Sequence, residues 1–289
     1  MEQGTRGYFA YVPWGVTEIN ARVALALARS LRHPSAAALW GTRLPEARQR
    51  LQHCTDLVLA RLTTTGAWSP VNDTHEPRFV RTDSTVMSLW ALLEIQRVAP
   101  SDALKQPIQD GLRWMLTNAD MQTGGWRPSP FQRNKLEGFP GLAAKAIYVL
   151  LLAVPDHKAL LVDGGFGDIL TAFDHWLAGE EIPPRQLSFT TRSLSDNDRM
   201  HDADRYLYRS PRMLEGTTHL WFAWAALACK ARERDADQFP DVKTFPGCGR
   251  LAVRVNEAVQ FVTSETSSYV ASENLLALDA IAELSLPPR

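Results

Sequence analysis

Apolar residues recur along most of this chain at intervals of three and four, and the two-residue alternation of a surface strand is nearly absent. In residues 17–31, Ala21, Ala24, Leu25 and Ala28 form one apolar stripe, which predicts a helix. The same spacing predicts helices over 44–62, 84–98 and 102–117, then over 141–154 and 166–177. Three more follow at 215–232, 250–263 and 269–284. Asp83 or Ser84 is expected to cap the third helix, and Pro107 blurs the start of the fourth by a turn.

Two classes of helix alternate. The odd-numbered ones are apolar on more than one face, as in Met87-Ser88-Leu89-Trp90-Ala91-Leu92-Leu93, Ala146-Ile147-Tyr148-Val149-Leu150-Leu151-Leu152 and Leu220-Trp221-Phe222-Ala223-Trp224-Ala225. A helix apolar all round is buried all round, so Leu89, Trp90, Leu150, Trp221 and Leu278 are expected in the core. The even-numbered helices carry charge on one face, such as Glu46, Arg48 and Arg50. Inner and outer helices in alternation predict an all-α fold of helix pairs, an α/α toroid of about nine helices, as an open or incomplete ring. The whole chain, 1–289, reads as a single domain with a long loop inserted at about 179–212.

The second and fourth helices run into similar turns. Each turn ends in Gly-x-Trp followed by proline, at Gly66-Ala67-Trp68-Ser69-Pro70 and Gly124-Gly125-Trp126-Arg127-Pro128. With Gly111-Leu112-Arg113-Trp114-Met115-Leu116 leading to Gln122-Thr123-Gly124-Gly125-Trp126, and Ser84-Thr85 before Leu89-Trp90-Ala91-Leu92, the chain resembles the prenyltransferase and squalene-cyclase repeat family. The likeness is greatest over residues 44–155. It implies a terpenoid-cyclase-like α/α toroid and, were the chemistry kept, an enzyme acting on an isoprenoid or similar apolar substrate, with Mg²⁺ if that substrate is a diphosphate.

The catalytic motifs of that family are not retained. Asp120 stands where the repeat motif has glutamine. Class II terpene cyclases of the family place Asp-x-Asp-Asp before an inner helix, and the middle acid protonates the substrate. The matching stretch here is Val80-Arg81-Thr82-Asp83, which puts a threonine hydroxyl, far too weak an acid, in the donor's place. The Asp-x-Cys pair with which protein prenyltransferases hold zinc does not occur. Asp196-Asn197-Asp198 with Asp202 and Asp204 reads as a solvated loop, so no metal site is assigned. The resemblance therefore implies a toroid-like binding or assembly module without catalysis, and the enzyme is the alternative reading.

Composition changes this picture little. Hydrophobic residues make up 45% and charged residues 22%, both ordinary for a globular protein. A net charge of −1 gives no electrostatic reason to expect nucleic acid. No run approaches the ~20 apolar residues of a membrane span, and the amino terminus has no basic-then-apolar leader. Cys54, Cys229 and Cys248 are odd in number and widely separated, which suggests neither a disulfide framework nor a zinc knuckle. A cytoplasmic protein with no cofactor is expected.

Candidate chemistry lies at the starts of the inner helices, where backbone donors are unpaired. Glu18, Asp83, Glu137, Glu215, His219 and Glu273 stand there. Glu215 and His219, four apart, share a helix face; with Asp83 they are the candidate acid and base. The same residues also suit plain helix starts, with an acid near the dipole and a satisfied histidine. Trp90, Tyr148, Trp221 and Trp224, with Lys145 interrupting an apolar helix, form a candidate ligand pocket. Core packing accounts for the aromatics equally well, and Lys145 is expected to snorkel to the surface. A paired-carboxylate glycan enzyme is a more distant possibility.

The loop at 179–212 breaks the helical rhythm and concentrates Arg192, Arg199, Arg205, Tyr206, Tyr208 and Arg209. Arginine and tyrosine are favoured at interfaces, so this loop is expected to bind a protein partner. Replacing residues 186–208 with a short Gly-Ser linker should leave the thermal midpoint within about 5 °C, because closure entropy varies slowly with loop length. Unfolding of that variant in a calorimetric scan would place the loop in the core instead.

Overall fold

The computed structural model describes residues 16–70, 80–121, 125–126, 140–178, 275–279 and 282. These residues are mostly helical: α1 (Val16–Arg32), α2 (Ala36–Trp40), α3 (Leu44–Leu59), α4 (Thr82–Val98), α5 (Asp102–Thr117), α6 (Pro140–Asp163) and α7 (Phe166–Ala178). Two-residue strands β1 (Ala119–Asp120) and β2 (Gly125–Trp126) are the only strands among them. The first six helices read from the periodicity are α1, α3, α4, α5, α6 and α7. Those at 215–232 and 250–263 lie outside the described residues. Of the last, residues 275–279 are helical.

Two departures have local causes. Helix α2 was not expected: Ala36-Ala37-Ala38-Leu39-Trp40 favours helix by propensity but is too short to show a period. It passes through a 3-10 turn at Gly41–Arg43 into α3. Helix α6 does not stop before Pro155. The proline removes one N–H from the ladder and the chain breaks at His157 (φ −131°, ψ 24°), yet helical structure resumes to Asp163. Helix α5 begins at Asp102 as the spacing predicts, ahead of Pro107, where the Ser101 hydroxyl accepts a bond from the Ala103 N–H (3.3 Å) and caps it.

Backbone contacts divide the chain into two compact units. The first comprises Met1–Asn118, Pro128–Arg133 and Ala159–Gly164; the second comprises Ala119–Arg127, Asn134–Lys158 and Gly165–Arg289.

In the first unit α1 packs on α4 and α3, and α4 packs on α5. Ala21, Ala24, Leu25 and Ala28, the stripe that defined α1, are fully buried. Helix α3 buries one face through Ala47, Leu51, Cys54, Thr55 and Val58 and leaves the other to solvent. Helix α4 is buried from Ser84 through Ile95. The two helices thus differ as their apolar patterns predict, one buried on a single face and the other nearly all round. Leu89 and Trp90 are fully buried as expected.

Helices α1 and α4 run parallel, because both ends are tied. At their starts, Thr17 donates from Oγ1 to the Ser69 carbonyl (2.5 Å), and the Trp68 N–H donates to Thr85 Oγ1 (3.1 Å). At their ends, Arg32 of α1 pairs with Glu94 of α4 (2.9 Å). Parallel neighbours need a crossover, and α3 supplies it.

Trp68 closes the turn between α3 and α4. It bridges Leu62 in an antiparallel pair and donates its indole N–H to the Val58 carbonyl (2.9 Å). Gly66 lies in the left-handed region (φ 87°), and a Cβ there would meet the Asp110 carbonyl oxygen at 2.5 Å, so only glycine fits. Gly111 of α5 lies against the indole and Leu89; an added Cβ would stand 2.7 Å and 2.6 Å from them. A second glycine, Gly164, meets Leu116 of α5 in the same manner.

In the second unit, β1 pairs antiparallel with β2, placing Ala119 opposite Trp126. Trp126 is 1% exposed and Trp68 is fully buried. Each tryptophan thus takes part in a short antiparallel pairing, one after α3 and one after α5, so the repeated Gly-x-Trp motif forms a similar pairing twice. Helix α6 is buried from Ala143 through Val154, and Leu150 lies in this stretch. Helix α7 buries Phe166, Ile169, Leu170 and Phe173 at helical spacing. Leu278, expected in the core, is only half-buried, while its neighbour Ala277 is fully buried. One residue is 100° of helical rotation, so the covered face is centred beside Leu278.

Gly111→Ala should cost about 1–3 kcal/mol by overpacking, read as a lower urea midpoint at unchanged slope. A neutral result would mean that the indole yields. Burial lowers the pKa of His157 below its ordinary 6.5, against a smaller opposing effect of Asp156. The unfolded chain then takes up the proton first, so stability is full above about pH 6.5 and falls as pH drops through the folded value. His157→Gln should flatten that part of the stability-versus-pH curve while leaving the more acidic, carboxylate-driven part in place.

Candidate functional site

The start of α4 carries Asp83, the one residue of the candidate acid and base set Asp83, Glu215 and His219 that the structure describes. Arg81 is extended (φ −129°, ψ 141°) and occupies the N-cap position that had been assigned to Asp83 or Ser84. Its carbonyl accepts bonds from the Thr85 N–H (3.0 Å) and hydroxyl (2.8 Å). Helical geometry begins at Thr82, so Asp83 falls inside the first turn. A carboxylate there is favoured by the helix dipole.

Asp83 is held at both oxygens. Arg81 grips it with Nε to Oδ1 (3.1 Å) and Nη2 to Oδ2 (2.9 Å), and the Ser84 N–H donates to Oδ1 (2.9 Å). This fork geometry fixes orientation as well as charge. The pair remains about a quarter exposed, which limits its stabilising effect to ~1 kcal/mol. Thr82, in the place of the family's proton donor, is 1% exposed. Glu18, at the start of parallel α1, is engaged by Arg22 one turn on.

Trp90 lies two turns beyond Asp83 on α4, about 10 Å along the axis, and is fully buried. Lys145 and Tyr148, one turn apart on α6, are 7% and 2% exposed and belong to the second unit. Lys145, expected to snorkel to the surface, is largely buried, as are the residues on both sides of it.

A buried acid escaped the sequence reading. Glu94, 1% exposed, pairs through Oε2 with Arg32 (2.9 Å) and through Oε1 with Arg97 (3.1 Å). The contact at Oε2 is a close ion pair and the one at Oε1 a hydrogen bond. The visible sign was a single acid inside Leu92-Leu93-Glu94-Ile95, with Arg97 one turn on. Arg32, the distant partner, carried no such sign. Cys54 is a free, buried thiol whose pKa burial raises, which makes it a poor nucleophile.

The remaining candidates lie outside the described residues: Glu215 and His219, Trp221 and Trp224, and Arg192, Arg199, Arg205, Tyr206, Tyr208 and Arg209 of the expected partner loop. The same holds for the acids from Asp196 to Asp204. Among the described residues, no three His, Cys, Asp or Glu side chains come together in a group able to hold a metal ion. No helix of the described residues is long and apolar enough to cross a membrane.

Glu94→Gln should destabilise the fold by about 1–3 kcal/mol in chemical denaturation. The bare cost of orphaning a buried pair, about 3–5 kcal/mol, is reduced here because both arginines keep about 30% exposure and can turn to water. A change below about 0.5 kcal/mol would show that the triad contributes nothing measurable.

No family model matches the chain, and no curated protein matches it.

Proposed function

We propose that this protein is a non-catalytic binding or assembly module, built as an α/α toroid, that holds a protein partner or a small apolar ligand. The toroid reading is supported by parallel α1 and α4, the latter buried along most of its length, with α3 packed beside α1 and α5 beside α4. It is supported also by the recurrence of the buried tryptophan turn at Trp68 and Trp126. The resemblance to the prenyltransferase and squalene-cyclase repeats points the same way.

The observation that carries the non-catalytic part is the engagement of Asp83. Both of its oxygens accept bonds, from Arg81 and from the Ser84 N–H, so neither is presented as a proton donor. Its neighbour Thr82 holds a buried hydroxyl where proton transfer to an olefin needs a strong acid. The carboxylate orders a helix start. Binding then falls to the arginine- and tyrosine-rich loop at 179–212, because loops carry specificity on rigid frameworks.

Geranyl, farnesyl and geranylgeranyl diphosphate, each incubated with the full chain and Mg²⁺, should be recovered unchanged by chromatography. A cyclised or hydrolysed product that disappears in Asp83→Ala would overturn the proposal in favour of the enzyme. Native mass spectrometry of protein purified from its own cells should show a bound apolar molecule or a stoichiometric partner. A bare monomer would count against the module.

A further inference from the structure

We draw no further inference here: the strongest candidate, the exposed apolar turn at Ala37, Ala38 and Leu39 of α2, is only three residues wide, and nothing in the structure shows what covers it.

Discussion

The indole of Trp68 occupies a place from which water is excluded, so its N–H must be satisfied by the protein. The Val58 carbonyl meets that need only if the chain leaving α3 folds back on it. The reversal forces Gly66 into the left-handed region against Asp110, and it brings the Trp68 N–H to Thr85 on α4. Gly111 must then be bare for α5 to approach the ring. One buried side chain therefore sets the geometry of α3, α4 and α5 together. Truncation of such a ring costs about 3–5 kcal/mol in cores generally, before the loss of the turn is counted.

The same turn makes α1 and α4 parallel. Segment 68–70 accepts the Thr17 hydroxyl of α1 and is bonded to the start of α4. Two parallel helices place their positive ends side by side and their negative ends side by side. The acids at the starts, Glu18 and Asp83, and the arginines at the ends, Arg32 and Arg97, match that polarity. Yet Glu94 stands near the negative end of α4, where the dipole alone would disfavour it. Arg32 and Arg97 hold it there as a cross-link between the two helices.

These pairings bear on function through what they occupy. A carboxylate that organises a helix start and one that protonates a substrate need opposite surroundings. The first is surrounded by donors, and the second keeps a proton aimed into a cavity. Asp83 has the first kind of surrounding, with Arg81 two residues away on the same strand of chain. Asp83 thus acts as a structural tie at the start of α4. Lys145, largely buried in α6, is another polar group placed where a purely apolar core would do without one.

The helices were legible in the sequence because burial imposes a period that local residues display. The stripe of Ala21, Ala24, Leu25 and Ala28 specifies α1 without reference to any other element, and Gly66, Trp68 and Pro70 announce their turn. The apolar run from Met87 likewise declares a helix buried on all sides. What the tertiary structure decided depends on partners far away in sequence. Arg32 and Glu94 are distant in sequence, and only parallel packing of α1 on α4 makes them a pair. The period could not say whether Pro155 ends a helix, because that turns on whether packing beyond it sustains the residues to Asp163. The role of Asp83 was equally undetermined: its position near a helix start is written in the sequence. Its capture by Arg81 depends on the extended backbone at residue 81, which the turn at Trp68 imposes through its carbonyl.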